Sequence, residues 1–250
     1  MSYCLAIKVN DGLVFASDSR SNAGVDYITT YSKMFRFSWP QDRSIVLLNA
    51  GSLATTQAVL NMINKDLEEN SEINLKTVKN LYEAAHYIGK LSQEEQLQHS
   101  EAFSRSGVSG EASFILGGQI QGKKPELYLI YPQGNYISAS PQTPFLQIGE
   151  NKYGKPILDR LISLDITLED ASRCALISLD STIRSNISVG LPLELAIYKT
   201  DSIAETRHMK FDSTSIFYKE IQKKWGEGLK RAFKYLPRFD WEKESDKSLG

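Results

Sequence analysis

Apolar and polar residues alternate with a period of two in short segments along most of the chain, a pattern typical of half-buried β-strands. Longer segments repeat their apolar positions every three to four residues, as amphipathic helices do. The predicted strands cover residues 3–9, 13–19, 28–37, 44–49, 112–121, 126–132, 135–140, 145–148, 191–198 and 206–211. The predicted helices cover residues 53–69, 75–103, 155–164, 168–184 and 215–235.

The order of these elements predicts how they pack. The strands form two clusters with pairs of helices between them, which favours two sheets face to face with helices on their outer faces. We therefore expect an α+β fold, a four-layer αββα sandwich with one extra C-terminal helix. Because no segment resembles an interdomain linker, residues 1–250 are interpreted as one domain. Its core is expected at about 2–211, and the last helix and a charged tail at about 212–250.

The first two strands are joined by Asn10-Asp11-Gly12, a sequence favoured in hairpin turns. If the loop has three residues, Cys4 faces Asp18, and Ser2 faces Arg20 on the same side of the sheet. A two-residue loop would shift every pair by one position. In the three-residue register Asp18 is a diagonal neighbour of Ser2, so an acidic group is expected beside the start of the chain.

Ser2 is a candidate nucleophile. Removal of Met1 is favoured when the next residue is small, and it would leave Ser2 with a hydroxyl and a free α-amine. An α-amine titrates at about 7.7–8.0, far below a lysine side chain, so it can act as a base near neutral pH. Such a residue carries its own nucleophile and its own base. Because serine is common at position 2, the argument depends on the groups around it.

Two further groups would complete such a site. Lys33 lies in an apolar strand pattern, and a cation buried there would need a carboxylate partner such as Asp18. An exposed strand lysine is the alternative interpretation. Gly51 stands between a predicted strand and a predicted helix, where its N–H can hold a developing oxyanion at the positive end of the helix. A simple turn is the alternative interpretation of this glycine.

Composition and charge narrow the functional classes. Of the 250 residues, 41% are apolar, which is enough for a substantial core. Basic and acidic residues number 29 and 30, so neither nucleic acid nor an anionic membrane is expected as a partner. Cys4, Cys174 and the three histidines lack the spacing of a disulfide framework or a metal site. Without a secretion signal or a long apolar run, a cytoplasmic location is expected.

Several motifs, taken in order, resemble those of proteasome β-type subunits, which are N-terminal-nucleophile hydrolases. These are Ser2-Tyr3-Cys4-Leu5-Ala6, Ala16-Ser17-Asp18-Ser19-Arg20, Ser32-Lys33-Met34 and Asn49-Ala50-Gly51. A closer resemblance is to Anbu, the bacterial ancestral beta subunit, and it is carried by residues 12–20, 53–57, 148–156 and 185–192. The similarity extends from Ser2 to about Phe211, and it implies the αββα sandwich of that superfamily.

The resemblance implies a role for each matching residue. Ser2 would be the nucleophile, Lys33 its electrostatic activator, and Asp18 the partner of that lysine. The N–H of Gly51 would form the oxyanion hole, and Arg20 would be a supporting residue. Most relatives begin with threonine, whose extra methyl restricts χ1, so a serine nucleophile is expected to be less rigidly oriented.

Other matching positions depart from the proteasome pattern. Glu150 stands where proteasome subunits place a serine, and Ser185 stands where they place the aspartate of an Asp-x-x-Ser segment, with Ser188 as the matching serine. These three residues are predicted to support the site through an altered hydrogen-bond shell. Asn22 and Asn49 are predicted to line the substrate pocket, and a polar residue at the second position argues against a purely apolar preference.

The implied function is that of an N-terminal-nucleophile hydrolase, a peptidase of the threonine or serine type that acts without a cofactor or metal. A small-amide hydrolase of the same class and a catalytically weak scaffold protein are the alternatives. The resemblance also implies a homo-oligomer, either a ring or an open spiral. An ATPase of unknown identity is a candidate partner, and peptides or small amides are the candidate substrates.

Overall fold

A computed structural model describes residues 2–22, 28–203 and 207–242. The strands of these residues are β1 (Tyr3–Val9), β2 (Gly12–Asp18), β3 (Arg20–Asn22), β4 (Ile28–Thr30), β5 (Met34–Trp39), β6 (Arg43–Gly51), β7 (Ala112–Ile120), β8 (Glu126–Ile130), β9 (Tyr136–Ser138), β10 (Phe145–Gly149), β11 (Leu193–Lys199) and β12 (Arg207–Phe211). The helices are α1 (Leu53–Glu68), α2 (Leu81–Gln98), α3 (Ser100–Ser106), α4 (Lys155–Leu161), α5 (Leu168–Ser185) and α6 (Ile216–Lys234).

Two five-stranded antiparallel sheets form the centre of the first compact unit, which ends at Thr214. One sheet has the strand order β10-β1-β2-β11-β12 and the other has the order β5-β6-β7-β8-β9. Strands β3 and β4 form a separate two-stranded sheet. The first sheet joins strands that are distant in sequence, because β10 and β11 pair with the N-terminal hairpin, whereas the second sheet takes its strands in chain order.

Two apolar cores hold the layers together. Between the sheets, side chains such as Phe15, Leu48 and Ile115 pack in one buried cluster drawn from both sheets. A second cluster lies between the β5–β9 sheet and helices α1 and α2. Helix α5 packs on β1, β2 and β11 at the outer face of the other sheet, and α4 packs on α5. The predicted α+β fold, a four-layer αββα sandwich, is therefore confirmed.

The N-terminal hairpin corrects the predicted register by one residue. Its loop has two residues, Cys4 pairs with Ser17 rather than with Asp18, and Gly12 belongs to β2. Gly12 takes φ +154, and a Cβ on it would lie 2.0 Å from the carbonyl oxygen of Tyr198 on β11. This close approach of β11 explains why the glycine is used in the strand and not in the turn.

Two other predicted elements are divided in the structure. The strand predicted at 28–37 is interrupted, so that Lys33 lies in the connection immediately before β5. The helix predicted at 75–103 begins only at Leu81 and breaks at His99, after which the short α3 follows. Asn74 explains the late start, because its side chain accepts the N–H groups of Lys76 and Thr77 and stabilises a turn there.

The second compact unit begins at Ser215 and contains α6. Its apolar residues recur on one face of the helix, with basic residues on the other. Most of the predicted charged tail, residues 243–250, lies outside the described residues. Among the described residues, no helix is both long enough and apolar enough to cross a bilayer.

Truncation of Phe15 to alanine is expected to lower the free energy of unfolding by about 3–5 kcal/mol. The ring is fully buried between the sheets and lies against Gly117, which has no side chain to fill the cavity. Urea unfolding followed by circular dichroism measures this loss. The control is Ile137→Ala on β9, where the side chain is 45% exposed and a loss below about 1 kcal/mol is expected. Equal losses in the two variants would contradict the inter-sheet core.

Candidate active site

A buried ion pair forms the centre of the candidate site. The Lys33 ammonium lies 2.5 Å from Oδ1 of Asp18, and the two side chains are 6% and 0% exposed. The ammonium also donates to the carbonyl oxygen of Arg20, 2.6 Å away. The interpretation of Lys33 as an exposed lysine is therefore wrong, and its charge is held in the interior by two oxygen acceptors.

Backbone groups saturate the Asp18 carboxylate on its other sides. Oδ1 also accepts the N–H of Tyr3 at 3.0 Å, and Oδ2 accepts the N–H groups of Arg20 at 3.2 Å and Gly190 at 3.1 Å. Burial raises the pKa of Asp18 above its ordinary value, and the charge of Lys33 and the hydrogen bonds from the N–H groups offset this rise only in part. These four donors favour the ionised carboxylate, which keeps the Lys33 ammonium in place.

The backbone of Ser2 is positioned from two sides. Its carbonyl oxygen accepts the N–H of Glu150 at 2.8 Å, and the N–H of the next residue, Tyr3, is the one that binds Asp18. A Cβ on Gly149, which has φ +81, would lie 1.9 Å from the Ser2 carbonyl oxygen. Only glycine therefore allows β10 to approach the start of β1 this closely.

Gly51 lies at the end of β6, immediately before the N-terminus of α1. It has φ +113, and a Cβ there would lie 2.3 Å from the carbonyl oxygen of Glu111. Ser52 caps α1 by accepting the N–H of Thr55 at 3.3 Å. The unpaired N–H groups of this first turn give the region near Gly51 a positive potential. The cap shows that a helix begins immediately after Gly51 and that this segment is not a simple turn.

An open cleft joins these elements. It has a volume of about 340 Å³, and Gly51 from β6 and Gly149 from β10 lie on its wall. The remaining lining residues are Ala50, Ser52, Ser109, Glu111, Ser113 and Pro132. Gly149 lies against the Ser2 carbonyl, so one wall of the cleft adjoins the start of β1, but Ser2, Asp18 and Lys33 are not among the lining residues. Hydroxyl groups and one carboxylate dominate its rim.

A turn after α5 supports the site from the other side. Asn186 donates to Oε2 of Glu150 at 3.0 Å, and its Oδ1 accepts the N–H of Ser188 at 2.9 Å. The Arg20 guanidinium donates to the carbonyl oxygen of Ile187 at 2.7 Å. Arg20 and Glu150 thus both contact the turn that contains Ser188, and the same turn supplies the N–H of Gly190 to Asp18.

Two other predicted residues occupy different surroundings. Ser185 is the last residue of α5 and is exposed, and its side chain forms no hydrogen bond within the described part of the chain. Asn49 is 6% exposed, and its side-chain amide donates to the carbonyl oxygen of Lys33 at 3.2 Å. Asn49 therefore holds the backbone of Lys33. The side chain of Asn22 and the whole of Met1 lie outside the described residues.

Three residues of this region were missed by sequence reasoning. Gly190 supplies an N–H to Asp18, and a Cβ on it would lie 2.4 Å from the Arg20 guanidinium. Asn186 connects Glu150 to the turn. Glu194 is 2% exposed and accepts from His208 at 2.8 Å. The first two belong to the motif at 185–192, which was the available signal, whereas Glu194 in a strand pattern offered none.

The surroundings of the two cysteines disfavour thiol chemistry. Burial raises the pKa of the Cys4 thiol, which is fully buried and donates to the carbonyl oxygen of Asn49, and raises that of Cys174 to about 12. Both thiols are therefore expected to be protonated and unreactive. Within residues 2–22, 28–203 and 207–242, no three His, Cys, Asp or Glu side chains are grouped to hold a metal ion.

The architecture and the site define a class of protein, the proteasome-type αββα sandwich. The family model described as "Proteasome subunit" matches residues 2–198. A proteasome subunit beta from Haloquadratum walsbyi is 24% identical over 209 residues, which cover 83% of this chain and 77% of that protein.

Similar solved structures point to a narrower group within the proteasome-type class. Anbu (ancestral beta-subunit) from Yersinia bercovieri is 44% identical, with a TM-score of 0.89, and the match covers 95% of this chain and 98% of that one. A structure of the helical assembly of the Anbu complex from Pseudomonas aeruginosa gives the same identity and coverage, with a TM-score of 0.90. The chain belongs to the proteasome subunit family and, within it, to the Anbu group.

Removal of the Asp18 carboxylate by Asp18→Ala is expected to lower the free energy of unfolding by about 3–5 kcal/mol, because Lys33 would remain buried without its partner. In the double variant with Lys33→Met no buried charge is left uncompensated. The double-mutant cycle should therefore give a coupling of about 2 kcal/mol or more in urea unfolding at fixed protein concentration.

The control for this cycle is the exposed pair formed by Arg173 and Asp170, whose N···O distance is 2.6 Å. Arg173→Ala should change the free energy of unfolding by less than about 1 kcal/mol, because water screens the pair. Strict additivity of Asp18→Ala and Lys33→Met would show that the buried pair is not coupled.

Proposed function

We propose that this protein is a peptidase in which Ser2, exposed as the first residue after removal of Met1, is the nucleophile. The observation that supports this proposal most strongly is the buried Lys33–Asp18 pair, because Asp18 also binds the N–H of Tyr3 beside Ser2. An isolated buried ion pair is costly and weak evidence for stability. Buried charged groups with perturbed pKa values are enriched at functional sites.

The reaction would begin with attack of the Ser2 hydroxyl oxygen on the carbonyl carbon of an amide. Its proton would pass through a water molecule to the free α-amine, which acts as the general base. The Lys33 ammonium would stabilise the negative charge that develops on the attacking oxygen. The oxyanion would be held by the N–H of Gly51, with the N-terminus of α1 behind it.

Collapse of the tetrahedral intermediate would then break the C–N bond. The leaving amine would take the proton from the α-ammonium, and an ester between Ser2 and the acyl group would remain. A water molecule, deprotonated by the α-amine of Ser2, would then hydrolyse the ester and restore the Ser2 hydroxyl. All steps use groups of this chain and water, so no cofactor is required.

Supporting residues would position these groups rather than react. Glu150 would fix the Ser2 carbonyl through its N–H, and Asn186 would fix the Glu150 carboxylate. Asn49 would hold the backbone of Lys33, and Arg20 would hold the turn that contains Ser188. Since these contacts differ from a serine and aspartate shell, the rate of hydrolysis is expected to differ from that of typical proteasome subunits.

A peptide fits the cleft better than a single small amide does. Sites for small molecules generally enclose most of the ligand surface. Here Ser109 and Glu111 on the rim are exposed, so the cleft would enclose only part of a small ligand, whereas an extended chain could continue past the rim. The small-amide hydrolase and the scaffold therefore remain the alternatives against which the peptidase is tested.

Self-association is a second part of the proposal. The Pseudomonas aeruginosa relative is described as a helical assembly, and the match covers 95% of this chain. We infer that this protein also forms a homo-oligomer, in a cytoplasmic location. Sedimentation velocity of the full chain should give species several times heavier than the 28.1 kDa monomer. A single species of monomer mass at micromolar concentration would contradict this inference.

Replacement of Ser2 by alanine is expected to reduce hydrolysis of fluorogenic peptide amides by a factor of roughly a thousand or more, since the nucleophile is lost. Folding and assembly should persist, as judged by circular dichroism and sedimentation. The matched control is Ser106→Ala, an exposed serine at the end of α3, which should retain full activity.

Mass spectrometry of the intact protein distinguishes the alternatives. A mass without Met1, together with a covalent adduct of an N-terminal-nucleophile probe mapped to Ser2, would support the peptidase. Turnover by Ser2→Ala at the wild-type rate would contradict Ser2 as the nucleophile. Retention of Met1 without turnover would favour the scaffold, and cleavage of small amides alone would favour the acylase.

A further inference from the structure

Helix α6 carries an apolar stripe whose C-terminal half is exposed. Ile221, Trp225, Leu229 and Phe233 follow one another at intervals of four residues, which places them on one face of the helix. The first two are partly buried, whereas Leu229 and Phe233 are 51% and 75% exposed. Large exposed apolar surfaces on helices are typical of interaction sites.

The rest of α6 is strongly basic. The helix contains six basic residues and two acidic ones. Lys223, Lys230 and Lys234 lie along one edge of the stripe, on the side of Phe233, as their spacing along the helix requires. A partner that covers the stripe should therefore offer apolar side chains surrounded by carboxylates.

A groove on the first compact unit has this character. It has a volume of about 640 Å³ and lies between the end of α1, the segment before α2, and α2 itself. Its exposed apolar side chains include Ile73 at 61% and Tyr82 at 47%. The other apolar members of its lining are Val78, Tyr87, Leu91 and Tyr136.

Carboxylates outnumber cations in this groove. Four acidic residues line it, Asp66, Glu72, Glu83 and Glu94, against two lysines, Lys79 and Lys90. The N–H of Lys79 lowers the pKa of Glu83, which therefore remains ionised. Lys90 lies 3.7 Å from Glu94 and offsets its charge only in part, because both side chains are more than half exposed.

We propose that α6 of one copy of this chain docks into this groove on a second copy, with the apolar stripe inward and the lysines facing the carboxylates. This interface rests on the self-association proposed above and specifies its surfaces. Because the two surfaces differ, the contact is heterologous, and each copy keeps a free groove and a free helix for the next. Repetition of such a contact gives an open helix or a ring.

A contact between two α6 helices is the competing arrangement. It would bring two strongly basic helices together, which like-charge repulsion disfavours. It would also close on itself as a dimer, whereas the relative from Pseudomonas aeruginosa is described as a helical assembly. Charge and propagation both favour the groove of a second copy as the partner surface.

Disulfide trapping tests which surfaces meet. Both native thiols, Cys4 and Cys174, are buried, so introduced cysteines can be oxidised selectively. Ala232→Cys on the stripe and Thr77→Cys on the groove rim are made in two chains of different tag length and mixed. The expected product is the mixed dimer of the two variants. Glu227→Cys, on the opposite face of α6, is the control and should give no mixed product with Thr77→Cys.

Sedimentation measures the energetic role of the interface. Phe233→Asp should raise the dissociation constant for assembly roughly tenfold or more, whereas Tyr235→Asp, at an 87% exposed neighbour off the stripe, should not. Reversal of Lys230 and Lys234 to glutamate should weaken assembly in the same way. Reversal of Glu72 and Glu94 to lysine in the same chain should then restore it.

The outcomes separate this interface from self-association itself. An oligomeric wild type that keeps its mass in Phe233→Asp and gives no mixed disulfide would overturn the interface but not the oligomer. Cross-linking of Ala232→Cys to itself, or of a double variant within one chain at high dilution, would also overturn it. A monomeric wild type would refute both proposals. Peptide hydrolysis by Phe233→Asp, measured in parallel, reports on the site independently.

Discussion

The structure depends on one buried carboxylate. Asp18 accepts hydrogen bonds from Tyr3, Arg20 and Gly190 and pairs with Lys33, so it ties the first strand, the end of β2, the turn before β11 and the start of β5 to one point. A charge without water must find all its partners within the protein. The conformation of these four segments is therefore set by the need to satisfy a single side chain.

Close backbone approaches at two glycines also position the segments around the candidate site. Gly149 lets β10 reach the carbonyl of Ser2, and Gly51 lets β6 run against the chain at Glu111. Both glycines have positive φ, and at both a Cβ would lie within 2.5 Å of a carbonyl oxygen. The start of β1 is therefore held against β10, and the N-terminus of α1 follows Gly51 directly. Backbone groups fixed in this way are typical of active sites, because they need not reorganise during a reaction.

The short apolar segments predicted the two sheets and the sandwich, and the central strands β1, β2, β6 and β7 are buried on both faces. The register of the hairpin was predicted wrongly, since the position of Gly12 is decided by β11, which lies about 190 residues away in the sequence. Sequence reasoning placed Asp18 beside Ser2 by an incorrect pairing, and the structure achieves the proximity through the N–H of Tyr3. The contact between Asn186 and Glu150 joins two loops that are distant in sequence. Because such a contact produces no periodic pattern of residues, the sequence could not predict it.

Helix α1 connects the candidate site to the proposed interface. Its first turn lies next to Gly51, and Asp66 near its other end lines the groove, about 20 Å along the helix axis from Leu53. Coupling between the two ends would require an element with two alternative states. Instead, α1 is anchored by Thr55, which donates to the carbonyl oxygen of Gly110, and by its apolar face against the sheet. A helix anchored in this way has a single position and no alternative state. Docking of α6 at the groove is therefore expected to assemble copies of the chain without altering the chemistry at Ser2.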